Sequence, residues 1–250
     1  MKKIETAFIA NQYRSGIEVY SLATKKIGLW DSEKYVFKKY LEQLDKILDL
    51  GCGTGRTTFG LFQADFRNII GVDLTPEMIK EARNLNKHFQ TDIDFRIGDA
   101  AKLEFEDSMF DAVIFSFNGL MSVPGQTNRD KAIREIHRVL KPTGIFIFTT
   151  HDRNRGEEYF EFWKDEKTKW KAGEQDSRLY EFGDLITKSK NESSKIYIHI
   201  PRKKEITEWT KRNGFETKET FYRSDKFEES EKVKSASGEC RFWIAKKNKF

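Results

Sequence analysis

Ile47-Leu48-Asp49-Leu50-Gly51-Cys52-Gly53-Thr54-Gly55 runs an apolar strand straight into three glycines at alternate positions. Residues without a Cβ let bare backbone approach a neighbour closely and turn left-handed. At the carboxyl end of a strand in an open α/β sheet, that neighbour is a ligand in the crevice where strand order reverses. The next helix offers it unpaired N–H groups. A tight turn with a glycine bulge accounts for the glycines equally well, so the glycines alone do not decide between turn and ligand site.

Two acids farther along the chain stand at matching places. Asp73 ends the next apolar run, Asn68 to Asp73, 22 residues after Gly51, where a carboxylate can accept hydrogen bonds from ribose hydroxyls. Asp99 comes after the third run, Asp94 to Gly98, although a lone Asp after a strand also serves as a turn former or helix cap. The three features end three consecutive predicted strands and point to an adenosine-bearing ligand. A nicotinamide or flavin fingerprint needs G-x-G-x-x-G, and here Arg56 stands where the third glycine should be.

Outward from this turn, predicted strands Lys46 to Leu50, Asn68 to Asp73, Asp94 to Gly98, Phe110 to Ser116 and Gly144 to Thr150 alternate with stretches of helical period. That rhythm is an α/β domain with a parallel sheet. Thr75-Pro76-Glu77 starts a helix with Met78, Ile79, Ala82 and Leu85 inward. Ala132, Ile133, Ile136, Val139 and Leu140 mark another, stopped by Lys141-Pro142-Thr143-Gly144. Residues 1–45 read as an N-terminal arm followed by an amphipathic helix from Ser32 to Lys46, with Tyr35, Phe37, Tyr40, Leu41 and Leu44 inward. Residues 46–250 form the main domain. Within it, 152–200 break the rhythm and read as an inserted lid or cap carrying Tyr159, Phe160, Phe162, Trp163, Trp170, Tyr180 and Phe182, some of whose rings should face the crevice above the sheet. A helix over Lys203 to Asn213 precedes a closing hairpin of Phe215 to Arg223 with Cys240 to Lys246, and polar Ser224 to Gly238 reads as a mobile loop.

Composition bounds the function classes. A chain of 250 residues, 38% hydrophobic and 34% charged with 16 Gly and 4 Pro, is globular rather than collagenous or low-complexity. Its apolar runs, such as Ile145-Phe146-Ile147-Phe148, fall far short of the roughly 20 residues a membrane-crossing helix needs. Glu5, Thr6, Asn11, Gln12 and Arg14 interrupt any signal-peptide core, so the expected location is cytoplasmic. Cys52 and Cys240 cannot build a disulfide framework or a four-ligand zinc site, and no metal is expected. The net charge of +5 is spread along the chain rather than gathered in a polybasic tail.

Asp49-Leu50-Gly51-Cys52-Gly53-Thr54-Gly55, Val72-Asp73, Gly98-Asp99-Ala100, Phe110-Asp111-Ala112-Val113 and Arg138-Val139-Leu140-Lys141-Pro142-Thr143-Gly144 resemble, in order and spacing, the motifs of class I S-adenosylmethionine-dependent methyltransferases. The resemblance covers residues 46 to 150. It implies a Rossmann-like, seven-stranded, mostly parallel sheet with helices on both faces and a hairpin of the last two strands, which residues 215 to 247 fit. It also implies S-adenosylmethionine as cofactor: Gly51, Cys52, Gly53 and Gly55 around its methionine part, Asp73 on the ribose, Asp99 on the adenine amino group, and Leu74 and Ala100 flanking the adenine ring. Ser116, Phe117 and Asn118 would lie near the sulfonium, with Asn118 counted among the catalytic residues. Tyr13 and Tyr20, seven apart, look like the two tyrosines of the family's Y-D-x-x-A-x-x-Y arm, from which Arg14 and Ile17 depart.

Members of that family that methylate exocyclic base nitrogens carry Asp/Asn-Pro-Pro-Tyr after the fourth strand. Ser116-Phe117-Asn118-Gly119-Leu120 stands here instead, which argues against nucleic acid and resembles members acting on small molecules. The expected reaction is therefore methyl transfer to an O or N atom of a small-molecule acceptor. An RNA methyltransferase and a non-catalytic S-adenosylmethionine-binding protein stay open as alternatives. His151, closing the fifth strand, is the candidate general base, with His199 second; His88 and His137 fall within helices and read as structural.

Overall fold

The computed structural model describes residues 2–188 and 195–249. Among them nine strands form two sheets: β1 (Ile47–Leu50), β2 (Ile69–Asp73), β3 (Asp94–Ile97), β4 (Phe110–Phe115), β5 (Leu140–Thr150), β6 (Asp184–Lys188), β7 (Lys195–His199), β8 (Phe215–Tyr222) and β9 (Arg241–Lys247). The large sheet has the order β3-β2-β1-β4-β5-β9-β8, with β6 and β7 as a separate antiparallel pair. The first five strands of that order run parallel, β9 pairs antiparallel with β5, and β8 pairs antiparallel with β9. This is the expected Rossmann-like sheet. Strand order reverses between β1 and β4, so the crevice lies above the carboxyl ends of those two strands.

The helices are α1 (Thr6–Arg14), α2 (Ile17–Lys26), α3 (Asp31–Tyr40), α4 (Arg56–Gln63), α5 (Pro76–Phe89), α6 (Gln126–Val139), α7 (Phe160–Ala172), α8 (Lys203–Arg212) and the short α9 (Arg223–Lys226) and α10 (Glu231–Ala236). β1 is buried along its whole length, as a central strand covered on both faces must be. One face packs Ile133, Ile136, Ile206 and Trp209 of α6 and α8 on Leu48, Val113, Phe146 and Trp243. The other packs Trp30, Val36, Phe37 and Leu61 on Ile47, Ile114, Ile147 and Ile244.

Three boundaries differ from the sequence expectation. The helix read as Ser32 to Lys46 ends at Tyr40, because Leu41 turns extended to bury itself and leaves Leu44 86% exposed. The fifth strand starts at Leu140 rather than Gly144, since Leu140 leaves α6 already extended and pairs with Phe110. Ser224 to Gly238 is not a bare loop: it carries α9 and α10, and Glu229 and Val233 are buried. The insertion read over 152–200 includes residues 189–194, which lie outside the described ones. No described helix is long and apolar enough to cross a membrane.

Candidate active site

The end of β1 turns on Gly51, Gly53 and Gly55, all left-handed, with φ of 66°, 56° and 93°. They serve different purposes. A Cβ on Gly51 would lie 2.5 Å from the Phe115 ring, so this glycine lets β4 pack beneath the turn. A Cβ on Gly55 would meet Phe59 and Phe95, so this one lets α4 approach the sheet. A Cβ on Gly53 would meet nothing within 4 Å, so the turn presents bare backbone there to open space. That space is a cavity of about 580 Å³, within the roughly 300–1,000 Å³ of small-molecule sites.

Asp73 leans across from β2: its Oδ2 accepts from Gly53 N (2.9 Å) and its Oδ1 from Thr75 N (2.8 Å). Burial pushes this carboxyl above its ordinary range, and the two N–H groups pull the other way. Asp99 Oδ1 accepts from Ala101 N at 2.8 Å. Cys52 is a buried thiol held well above its usual pKa by desolvation, so it acts as an apolar wall rather than a nucleophile. Tyr13, Tyr20, Gly51, Cys52, Gly53, Asp73, Leu74, Asp99, Ala100, Ser116 and Phe117 all line the one cavity, together with Asn118 and His151; Gly55 does not.

Across the crevice, Phe117 and Asn118 both turn left-handed beyond β4, at φ 53° and 61°. Left-handed backbone costs about 1–2 kcal/mol at an ordinary residue and somewhat less at Asn. Three contacts hold the kink: Asn118 N donates to Thr149 Oγ1 (3.0 Å), Gly119 N donates to Ser116 O (3.1 Å), and Phe117 packs edge-on against Trp30. Asn118 thereby meets the end of β5, where its Nδ2 donates to His151 Nε2 (3.1 Å), while His151 Nδ1 donates to the Glu239 carbonyl (2.8 Å). A carbonyl can only accept, so Nδ1 carries the proton and Nε2 keeps its lone pair.

Burial is the main cause that holds the His151 pKa below 6.5; the Arg223 charge adds to it, and Glu239 opposes. The ring is therefore neutral at pH 7, the form that can take a proton. We expect the acid limb of the kcat/KM profile to fall below pH 6.5, with activity lost as pH drops through it, and His151→Gln to remove that limb; a limb above pH 7 in the parent would contradict the assignment.

Residues of the N-terminal arm and of the β6–β7 hairpin both line the cavity. Tyr13 Oη and Ser122 Oγ share a hydrogen bond of 2.7 Å, Tyr20 packs on Tyr13, and burial raises both phenols. Tyr197 N donates to Gln12 Oε1 (2.8 Å), which pins α1 to the β6–β7 hairpin, and Tyr180 Oη donates to Ile4 O (2.6 Å), which ties the residues just before each together. Thr187, Ile196 and Ile198 of that hairpin line the cavity. None of the seven expected aromatic rings does. Trp163 and Trp170 pack edge-on against Phe182, outside the hairpin, and Phe160 is 68% exposed. His199 is not on the wall either: it is buried between Asp184 Oδ1 and Glu205 Oε1, each at 2.8 Å, and ties the hairpin to α8. His137 packs against Phe215 and His88 against Phe89, both in helices.

Several wall residues are invisible in the sequence. Two guanidinium groups lie over the Trp30 ring, Arg56 at 4.7 Å and Arg223 at 4.9 Å from its centre. Arg223 also donates to Ser237 Oγ (2.6 Å) and Gly238 O (2.9 Å), which fixes residues 235–238 over the cavity. Glu229 accepts from Asp31 N, Ser32 N and Ser32 Oγ at the start of α3. The polar stretch is thus strapped down by its own charges. A buried-acid signal of this kind has no period, so only the fold reveals it.

Residues 41–214 match the model of a methyltransferase domain. Over 118 residues the chain is 38% identical to the demethylmenaquinone methyltransferase of Lactobacillus johnsonii, covering 43% of this chain and 46% of that enzyme. It is 42% identical over 105 residues to that of Leptospira interrogans serovar copenhageni, covering 40% and 41%. The chain thus matches less than half the length of these curated relatives. A crystal structure of a SAM-dependent methyltransferase from Methanosarcina mazei shares the fold, with a TM-score of 0.71 and 23% identity over 90% of this chain and all of the other. The chain belongs to the methyltransferase-domain family, the class I S-adenosylmethionine-dependent methyltransferases, whose glycine turn and two acids it carries.

Proposed function

We propose that the protein transfers a methyl group from S-adenosylmethionine to an O or N atom of a small-molecule acceptor. The observation that carries the reading is that one cavity joins the open edge of the glycine turn at Gly53 to the Asn118–His151 pair. The residues on its first side fit the cofactor. The cradle at Gly53 is one that a Cβ would fill, and Asp73 keeps lone pairs beyond the two backbone bonds it accepts, so it can receive ribose hydroxyls. Leu74, Asp99 and Ala100 line the same cavity, and the adenine would rest against them.

S-adenosylmethionine supplies, when bound, a methyl on positively charged sulfur that is open to in-line attack. The chain's own residues do the rest. Positioning is the larger part, because holding the two reactants in line removes most of the entropic barrier. Tyr13, Tyr20 and the β6–β7 hairpin cover the cavity and exclude water that would otherwise solvate the attacking atom. Asn118 faces the acceptor, and His151 Nε2 takes the proton that O- or N-methylation releases once the Asn118 N–H that donates to its lone pair turns away. The Glu239 carbonyl then stays hydrogen-bonded to Nδ1 as the ring becomes positive. The small-molecule reading rests on the lining: residues of the arm, the hairpin and the 235–238 strap all border the one space, with Ile9, Val19, Val123, Ile196 and Ile198 among its apolar walls.

Incubation with S-adenosylmethionine labelled in its methyl, offered mixed metabolites and total RNA, tests the reading: label is expected in a small organic product, and label in RNA alone would contradict it. Asp73→Ala should weaken cofactor binding by about 1.5–3 kcal/mol, the scale of hydrogen bonds to a charged group, with circular dichroism unchanged. Unchanged affinity in a folded variant would remove Asp73 from the site.

A further inference from the structure

The chain is 34% charged, yet among the described residues that border the cavity only Arg56, Asp73 and Asp99 carry a formal charge, with His151 a neutral ring. None of the three is open to a charged acceptor. The two acids stand at the cofactor end, and Arg56 gives both of its Nη groups to Glu33, at 2.6 Å each. The rings do not build a cation cage: Trp30 already has the Arg56 and Arg223 guanidinium groups over it, and Phe117 packs edge-on against it. What faces the remaining space is aliphatic. β7 alternates, with Tyr197 and His199 buried on one face and Ile196 and Ile198 half-buried on the cavity face. Val123 is also half-buried on this wall, and Val19 is 59% exposed. Apolar surface left open in a concave wall is surface that an apolar ligand covers.

Resting on the methyltransferase reading, we propose that the cavity takes an uncharged acceptor with an apolar body and turns away charged ones of either sign, with Ile196 and Ile198 of β7 setting the preference. A charged group placed against this wall would lose its water and meet no counter-charge, the costliest kind of burial. The titrating groups of the wall respond in the same sense. Burial pushes the Tyr13 and Tyr20 phenols and the Cys52 and Cys240 thiols up, Cys240 to about 12, and pushes the His151 imidazole down. Acids and base alike are held in their uncharged forms, so the space disfavours a negative and a positive charge together. The preference belongs to the hairpin because its two isoleucines are the side chains that β7 turns toward the cavity, and a single charge on that face would supply the counter-ion that the wall lacks.

Tryptophol, indole-3-acetate and tryptamine share one apolar body and differ in the charge of the short side chain: none, negative and positive at pH 7. They are titrated calorimetrically into the protein saturated with S-adenosylhomocysteine, and again with sinefungin, whose amine carries the positive charge that the sulfonium would. Tryptophol is expected to bind at least about tenfold tighter than either charged probe in both states. In Ile196→Asp tryptamine should gain about tenfold on tryptophol, and in Ile196→Lys indole-3-acetate should gain as much, with S-adenosylhomocysteine affinity kept within about twofold. Lys195→Asp, one position away on the opposite face of β7, should keep the parent's ranking. A charged probe that binds as tightly as tryptophol in the parent overturns the proposal, and so does the absence of binding by all three. A ranking that neither Ile196 variant moves, or that Lys195→Asp moves equally, also overturns it. Failure of the parent to bind S-adenosylhomocysteine and sinefungin would instead sink the methyltransferase reading.

Discussion

Glu33→Ala is expected to destabilise the fold by about 3–5 kcal/mol, the cost of leaving a buried charge without its partner. Glu33 is 1% exposed; it receives Arg56 through both oxygens at 2.6 Å and the Trp30 N–H at 2.9 Å. Arg56 also donates to Gly28 O at 2.7 Å and lies over the Trp30 ring. The pair ties α3 to the first residue of α4, directly behind the glycine turn. Without the carboxylate the guanidinium keeps the Gly28 carbonyl, the Thr57 hydroxyl and a ring face and loses its charge balance. Urea unfolding monitored by circular dichroism reads the loss, and Glu33→Gln, which keeps an acceptor for Trp30 N–H, should fall between parent and Ala. A loss under about 1 kcal/mol would mean that water reaches the pair, as it does for surface pairs.

Two alanine substitutions two residues apart should separate folding from binding. Gly51→Ala adds left-handed strain of about 1–2 kcal/mol to overpacking of about 1–3 kcal/mol against Phe115, so its main effect is a lowered melting temperature. Gly53→Ala carries only the left-handed cost in the fold. Its methyl enters the open cavity, where it should cost the cofactor about 1–3 kcal/mol of binding, the scale of overpacking. Thermal unfolding and calorimetric titration of both variants check the contrast. Full cofactor affinity in Gly53→Ala would show that nothing approaches that edge of the turn.

The parallel half of the sheet is legible in the sequence because its strands are buried on both faces and their apolar runs end in chemistry: Gly51 after β1, Asp73 after β2, Asp99 after β3. All three line one cavity wall. Gly55 shares the pattern but faces Phe59 and Phe95, since alternate glycines record a missing Cβ and not what its absence makes room for. The cover is not legible. The aromatic rings of the insertion suggest a lid, whereas the wall is made by the aliphatic side chains of the β6–β7 hairpin, whose short strands with mixed burial carry a weak alternating signal. The arm meets that hairpin through Gln12 and Tyr197, 185 residues apart, and no local pattern encodes such a contact. The strap of residues 224–238 looks like solvent-exposed loop because its charges read as polar; inside the fold Glu229 caps a helix and Arg223 holds Ser237. Asn118 stands out in the family pattern, but its fixed orientation needs His151 and the Glu239 carbonyl, which come together only when β5 and β9 pair.

The central claim is that the cavity over the glycine turn binds S-adenosylmethionine and not a dinucleotide. Calorimetric titration of the protein with S-adenosylmethionine, S-adenosylhomocysteine and NAD tests it most directly. The account predicts saturable one-to-one binding of the first two, weakened in Asp73→Ala and Gly53→Ala, and no heat with NAD. Binding of NAD without either sulfur ligand would contradict it.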